Sequence, residues 1–363
     1  MTSATILFLM IGKKIGLKDR LVIQEALNIY TLSGLIRFTK NILRVTLIFE
    51  SLGALVLSIR FGRDLPFLKA VWYGLFHSVS AFNNAGFSLF SDSLVSYRED
   101  VTVNMVIAVL IISGGAGFIV ISDIYKYTQG KVFRLSAHTK ISLVVTGLLL
   151  FMGMIYILTF ESGNPRTLGV MTWGGRILAA FFQSVTARTA GFNTIDISGL
   201  TIPSMLLVIF LMYVGASSGS TGGGIKTSTF GVMIISLWSS LRGGTDVVVY
   251  KRRLPNEVVT KAFLIASLAG LTIVFMNLLI MIFEDRDFLS SLFEVVSAFG
   301  TVGLSVGDGG TRSLSALFSP AGRLVIILTM FIGRLGPLTV GAATLRSVDI
   351  VRIRRPEEKV LIG

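Results

Sequence analysis

Cysteine is absent from this 363-residue chain, which excludes disulfides and thiolate metal sites. Charge is scarce: 15% of the residues are Asp, Glu, Lys or Arg, against about 25% in soluble domains. That is too little for a surface wholly bathed in water. Histidine is nearly missing too, with His77 and His138 the two in the chain, so a reaction that needs an imidazole base has few candidates.

What is present is apolar. Hydrophobic residues make up 52% of the chain and the mean hydropathy is +0.77. The runs 141–160, 262–283 and 324–343 approach the ~20 residues that a helix needs to cross a bilayer core. The chain therefore reads as a polytopic helical membrane protein. Its net charge of +13 would suggest nucleic acid in a soluble protein, but position argues against that partner. Basic residues cluster in 13–44, 126–140, 242–261 and 346–359, each beside the end of an apolar run. By the positive-inside rule these segments face the cytoplasm, whereas the other loops carry Asp92, Glu99, Asp100, Glu161, Glu284, Asp285 and Asp287. The N-terminal apolar stretch precedes its basic residues. A signal peptide has the reverse order, so this stretch reads as the tail of a membrane helix leaving on the inner side.

Three segments repeat without gaps: LFHSVSAFNNAGFS (75–88), FFQSVTARTAGFN (181–193) and LFEVVSAFGTVGLS (292–305). In each, a Phe lies ten residues before a Gly: Phe76 and Gly86, Phe181 and Gly191, Phe293 and Gly303. The glycines are 191 − 86 = 105 and 303 − 191 = 112 residues apart, which suits a unit with two membrane spans. Each unit reads as a long helix (42–60, 141–160, 262–283), a half-length helix of about 12 residues too short to span, the Gly motif, and a second long helix (103–125, 204–241, 322–343). Non-helical backbone at membrane depth survives only where protein or a water-filled cavity covers it. The half-helix and Gly motif are therefore expected to be re-entrant.

The last motif, Thr301-Val302-Gly303-Leu304, is one residue from the filter sequence TVGYG, in which backbone carbonyls replace an ion's hydration shell. The other copies, Asn84-Ala85-Gly86-Phe87 and Thr189-Ala190-Gly191-Phe192, keep a small residue followed by glycine. Glycine tolerates the positive φ such carbonyl alignment requires. A second feature interrupts the helix after the middle copy: Gly215-Ala216-Ser217-Ser218-Gly219-Ser220-Thr221-Gly222-Gly223-Gly224. Glycine costs about 1 kcal/mol per residue in a helix relative to alanine, so this stretch is expected to break into a loop, as a mobile gate or as a hinge. It also contains G-x-S-x-G around Ser217, but without the strand–turn–helix context of a nucleophile elbow. The run 219–227 misses a P-loop because Ile225 separates Gly224 from Lys226. Neither motif makes the chain an enzyme. Arg334 lies deep in an apolar run, where a charge is expected to face a cavity or partner or to snorkel. Arg188 and Glu294 adjoin the Gly motifs and are expected either to tune a pore's field or to tie the half-helices down by ion pairing.

At these residues the chain resembles the Trk/Ktr/HKT superfamily of potassium transporters, and among them the bacterial Ktr membrane subunits. The resemblance rests on 12–20, 76–89, 186–193, 215–227, 297–305 and 331–339. It implies an all-α fold of M1–P–M2 units (helix, re-entrant pore helix and filter loop, helix) around a central, potassium-channel-like pore. The filter would fall on 84–87, 189–192 and 301–304, with K⁺ at its carbonyls, and the gate on Gly215–Gly224 with Arg334. The resemblance further implies a homodimer in the plasma membrane, in contact with lipid, on a cytoplasmic nucleotide-binding ring of the KtrA/TrkA kind. No tightly bound cofactor is implied, and uptake in the family is often sodium-dependent, with Na⁺ as activator. The units map as the end of a first M2 (1–12), linker (13–41), second unit (42–125), linker (126–140), third unit with a broken M2 (141–241), linker (242–261), fourth unit (262–343) and cytoplasmic tail (344–363). On this mapping the first M1 and its filter strand are missing from the sequence. Two other readings stay open: a subunit that inserts but conducts nothing, and an alternating-access carrier with broken helices at the midplane.

Overall fold

The structure is a computed structural model that describes residues 35–244, 246–307 and 313–339. The expected helix tail at 1–12, most of the first linker and the tail at 344–363 lie outside the described residues. The helices are α1 (Leu35–Phe61), α2 (Phe67–Phe82), α3 (Val101–Ala116), α4 (Phe118–Thr128), α5 (Ala137–Glu161), α6 (Trp173–Thr186), α7 (Ile202–Tyr213), α8 (Thr227–Leu241), α9 (Asn256–Phe283), α10 (Phe288–Gly300) and α11 (Pro320–Leu335). Among the described residues α1, α5 and α9 are long and apolar enough to cross a membrane singly, and each opens one of the expected units. The half-helices α2, α6 and α10 have 16, 14 and 13 residues. At 1.5 Å per residue none spans the ~30 Å hydrocarbon core.

Packing repeats with the sequence. Each long first helix lies on its own half-helix: α1 on α2, α5 on α6 and α9 on α10. Each second helix packs on the half-helix of the next unit, α3 against α6 and α7 against α10. α6 and α10 are thereby packed on two sides, while α2 leaves Phe67, Leu68 and Trp72 exposed, and Phe82, Phe182, Phe293 and Phe299 on the half-helices are among the largest buried side chains. The long helices carry a second, outward apolar face, with Leu52 and Ile59 on α1, Phe151 and Met152 on α5, and Leu271 and Ile282 on α9 all exposed.

The outer helix ends are closed by repeated polar clasps. Glu161, ending α5, accepts from the amide and hydroxyl of Thr201, which caps α7. Glu284, following α9, accepts from the amide and hydroxyl of Ser319, which caps α11. The second unit reverses the signs: Arg60 near the end of α1 pairs with Asp100, the N-cap of α3. A short hairpin, Val248–Val249 against Arg252–Arg253, interrupts the expected all-α pattern in the third linker. Its turn residues Tyr250 and Lys251 both have positive φ, as a two-residue hairpin turn demands. Lys140 stands over the Tyr250 ring at 4.8 Å, which brings the second and third basic clusters onto one face.

Two expected second helices differ from their description. The span 103–125 is not continuous: it bends by 97° between α3 and α4 at Gly117, where φ is 89°. The helix expected over 322–343 breaks after Leu335, at Gly336 with φ 90°, and residues 337–339 beyond it are helical again.

Candidate pore strands and glycine loop

Each half-helix ends on a strand with the same backbone. Asn84 and Gly86 have φ of 52° and 72°, Thr189 and Gly191 of 70° and 86°, Thr301 and Gly303 of 50° and 92°. Left-handed residues thus alternate with an ordinary one, the arrangement that turns successive carbonyls to one side of a strand. For the β-branched Thr189 and Thr301 this conformation is a true outlier, held at a cost of order 1–3 kcal/mol each. The surrounding structure imposes it: the amides of Ala85, Ala190 and Val302 bond back to the carbonyls of Ser80, Thr186 and Ser297 on the preceding half-helix.

The half-helix hydroxyls grip the same strands. Ser80 donates to the Phe87 carbonyl at 2.8 Å, Thr186 to the Phe192 carbonyl at 2.6 Å, and Ser297 accepts from the Gly303 amide at 3.2 Å. One turn away the outer ends are braced by residues eleven apart in sequence: His77 Nε2 with Ser88 Oγ at 3.0 Å, and Glu294 with the Ser305 hydroxyl at 2.6 Å. Sequence reasoning passed over these braces, although a polar residue nine before the glycine and a serine two after it recur in the first and last copies. The expected ion pairing of Arg188 and Glu294 is absent: neither has a partner of opposite charge among the described residues. Glu294 acts instead through Ser305 and the Ser315 amide.

The three strands meet at their glycines. A Cβ on Gly86 would collide with the Ala190 carbonyl oxygen and stand 2.9 Å from Gly191 Cα. One on Gly191 would collide with the Val302 carbonyl oxygen and stand 3.3 Å from Gly86 Cα. One on Gly303 would have Gly191 Cα at 3.8 Å. The carbonyl before each of the latter two glycines therefore faces the neighbouring strand. All three chains of four residues come together although more than a hundred residues separate each from the next.

Residues 214–226 between α7 and α8 are non-helical, and this loop lies against the first residue of every strand. Gly215 and Gly222 abut Thr189, and Gly223 abuts Thr301. The Thr221 hydroxyl donates to Asn84 Oδ1 at 3.2 Å, and Asn84 Nδ2 donates to the Thr189 hydroxyl at 3.2 Å. Three cations cap loop carbonyls: Arg188 Nη2 on Gly215 at 3.1 Å, Arg334 Nη1 on Thr221 at 2.6 Å, and Lys226 Nζ on Gly222 at 2.7 Å. Ser217 and Ser218 bond to Thr227 and Ser228 on α8, so the inner half-helix is stitched to the loop as well.

The loop also explains the bend at Gly117. In a straight helix the Phe118 amide would bond to the Gly114 carbonyl, four residues back. Here Gly114 accepts from the Thr221 amide and Gly115 from the Ser217 amide, while Phe118 donates to the Gly219 carbonyl at 3.0 Å. Loop and helix exchange partner for partner. A Cβ at Gly117 would reach the Ser218 carbonyl at 2.5 Å, so glycine alone fits the contact.

A family model described as "TrkH: Cation transport protein" matches residues 8–349. The chain belongs to the TrkH family. Among curated TrkH-family relatives it is 42% identical over its whole length to Ktr system potassium uptake protein B of Vibrio alginolyticus and covers 78% of that protein. It is 41% identical over its whole length to the protein of the same name from Bacillus subtilis, covering 80% of it. Potassium/sodium uptake protein NtpJ of Enterococcus hirae is 38% identical over 99% of this chain and 79% of its own. The crystal structure of the potassium transporter TrkH from Vibrio parahaemolyticus superposes with a TM-score of 0.71 at 20% identity, covering 90% of this chain and 68% of that one. That likeness concerns the fold. TrkH-family membership, with several apolar helices, makes this a multi-pass membrane protein of a transport family and not an enzyme.

Proposed function

We propose that this chain builds the pore of a potassium uptake system in a bacterial plasma membrane, with residues 84–87, 189–192 and 301–304 as filter strands and Gly215–Gly224 with Arg334 as the gate. The observation that carries the reading is the convergence of three strands with the same alternating backbone on one point, each touched from one side by the same glycine loop. Alternating left-handed residues give a strand whose carbonyls can replace water around a cation. Three cationic side chains at the loop disfavour a cation passing it, so the described arrangement is a shut one. In this reading K⁺ is cargo and Na⁺ acts as an activator. The cytoplasmic basic face would dock a nucleotide-binding ring of the KtrA/TrkA kind, and the chain would work as a homodimer bounded by lipid.

The test is rubidium uptake and growth at low potassium in bacteria deprived of their own potassium transporters, expressing the full gene product. Sodium-stimulated rubidium uptake is expected. Protein that reaches the membrane yet supports neither growth nor uptake would overturn the reading. It would favour a non-conducting subunit, a role that the close contact of Gly86 with Gly191 also supports.

A further inference from the structure

Arg188 immediately precedes Thr189, the first residue of the middle strand, and its side chain is buried, with 7% of its surface exposed. No carboxylate neutralises it among the described residues. Its Nη2 reaches the Gly215 carbonyl at 3.1 Å and the Thr146 hydroxyl at 3.4 Å, and its Nε has no protein partner. Arg188 lines a small, partly open cavity with Ile111, Leu150, Val185 and Ala216. Burying an unpaired charge costs several kcal/mol. A neutral residue would pack there more cheaply, so the fold sustains this arginine for what it holds.

What it holds is the fixed end of the loop. Gly215 is the second loop residue after α7, and a Cβ placed on it would stand 3.1 Å from Thr189 Cγ2. Thr221 and Gly222, at the far end, are held by Arg334 from α11 and by Lys226. The two anchors differ in kind. Arg334 belongs to another unit and, among the described residues, hydrogen-bonds to the loop and to no strand. Arg188 is covalently continuous with a strand that already carries a strained threonine.

We infer that Arg188 is a positioning residue that couples the glycine loop to the middle strand, so that displacing the loop and deforming the strand are one event. This rests on the pore reading above. When the loop moves, the Gly215 carbonyl either draws the guanidinium with it, and Thr189 follows, or leaves the charge without an acceptor. Both outcomes link the loop's position to the carbonyl geometry at Ala190 and Gly191. A release at Arg334 alone leaves the strand's own anchor in place.

Two measurements test this. In rubidium uptake with sodium competition, Arg188→Gln is expected to raise flux and to lower the preference for potassium over sodium together, by about tenfold, the ratio that 1.4 kcal/mol produces. Arg188→Lys, which keeps a charged donor, is expected to recover most of the preference, and Arg334→Ala to raise flux with preference unchanged. Membrane-inserted Arg188→Gln with wild-type preference would overturn the coupling. Hydrogen–deuterium exchange on purified Arg188→Gln reads the same link without transport: exchange is expected to rise together in 189–191 and 215–219. A rise confined to the loop, or no rise, would overturn the coupling as well. If the wild-type protein carries no potassium, the functional reading fails and the exchange comparison alone decides.

Discussion

Gly114 and Gly333 occupy the same place in two different units. A Cβ on Gly114 would collide with the Phe82 carbonyl oxygen, and one on Gly333 with the Phe299 carbonyl oxygen. Phe82 and Phe299 each stand four residues before the strand glycine of their unit. Three residues after each small contact comes a glycine with φ near 90°, Gly117 and Gly336. The pair thus sets how closely a second helix can approach the end of its half-helix, and where that helix then stops.

Alanine at either contact meets backbone, which cannot rotate away. Overpacking of this kind costs about 1–3 kcal/mol. Gly114→Ala and Gly333→Ala are each expected to lower the thermal unfolding temperature of detergent-solubilised protein by several degrees. Gly147→Ala is the control: it sits in α5 with nothing within 4 Å of the added Cβ and is expected to be neutral or mildly stabilising.

The strand glycines are expected to differ among themselves. Gly303 has room for a Cβ but a φ of 92°, whereas Gly86 and Gly191 would also collide with a neighbouring carbonyl. Gly303→Ser should therefore assemble and transport with a relaxed preference for potassium, while Gly191→Ser should fail to assemble. Size-exclusion profiles and rubidium–sodium competition check this. Equal behaviour of the two variants would show that strand contact is not what limits these positions.

Deleting part of 217–223, or making Arg334→Ala, removes the donor–acceptor pair that joins α11 to the loop. Cation flux is expected to rise, with potassium preference held. Unchanged or lower flux in well-inserted protein for both would reduce the loop to a packing hinge.

Topology is open to direct measurement because the chain has no cysteine of its own. Lys131→Cys and Lys251→Cys place thiols at exposed positions in the second and third basic clusters. Both are expected to resist an impermeant reagent applied outside intact cells and to react after permeabilisation. Labelling of either from outside would invert the assignment.

The long helices and the repeat were legible because each rests on local information: apolar length, the basic residues at one end, and a recurring glycine. The break at 215–224 was legible for the same reason, since six of its ten residues are glycine or alanine. The bend at Gly117 was not. Its surroundings, IISGGAGFIV, read as an ordinary apolar helix, and what breaks it is a set of carbonyls and amides contributed by residues 217–221. The roles of Arg188 and Glu294 were hidden likewise. A charge beside a pore motif suggests an opposite charge nearby, whereas Arg188 is held by a backbone carbonyl and Glu294 by serine and amide donors. Every residue carries a backbone carbonyl, so no sequence pattern marks the partner of Arg188, whereas the recurring serine two after the glycine does mark that of Glu294.

The exchange of hydrogen bonds at Gly117 has a consequence for biogenesis. The carbonyl that takes the Phe118 amide belongs to Gly219, which is synthesised 219 − 118 = 101 residues later. Until it arrives, an unpaired amide within the bilayer would cost several kcal/mol, and the partner at hand is Gly114, in a straight helix. The second unit is therefore expected to enter the membrane as a continuous span and to acquire its corner once the following unit lies beside it. The shape of one repeat is thus completed by the next, and the order of translation becomes part of how the fold is built.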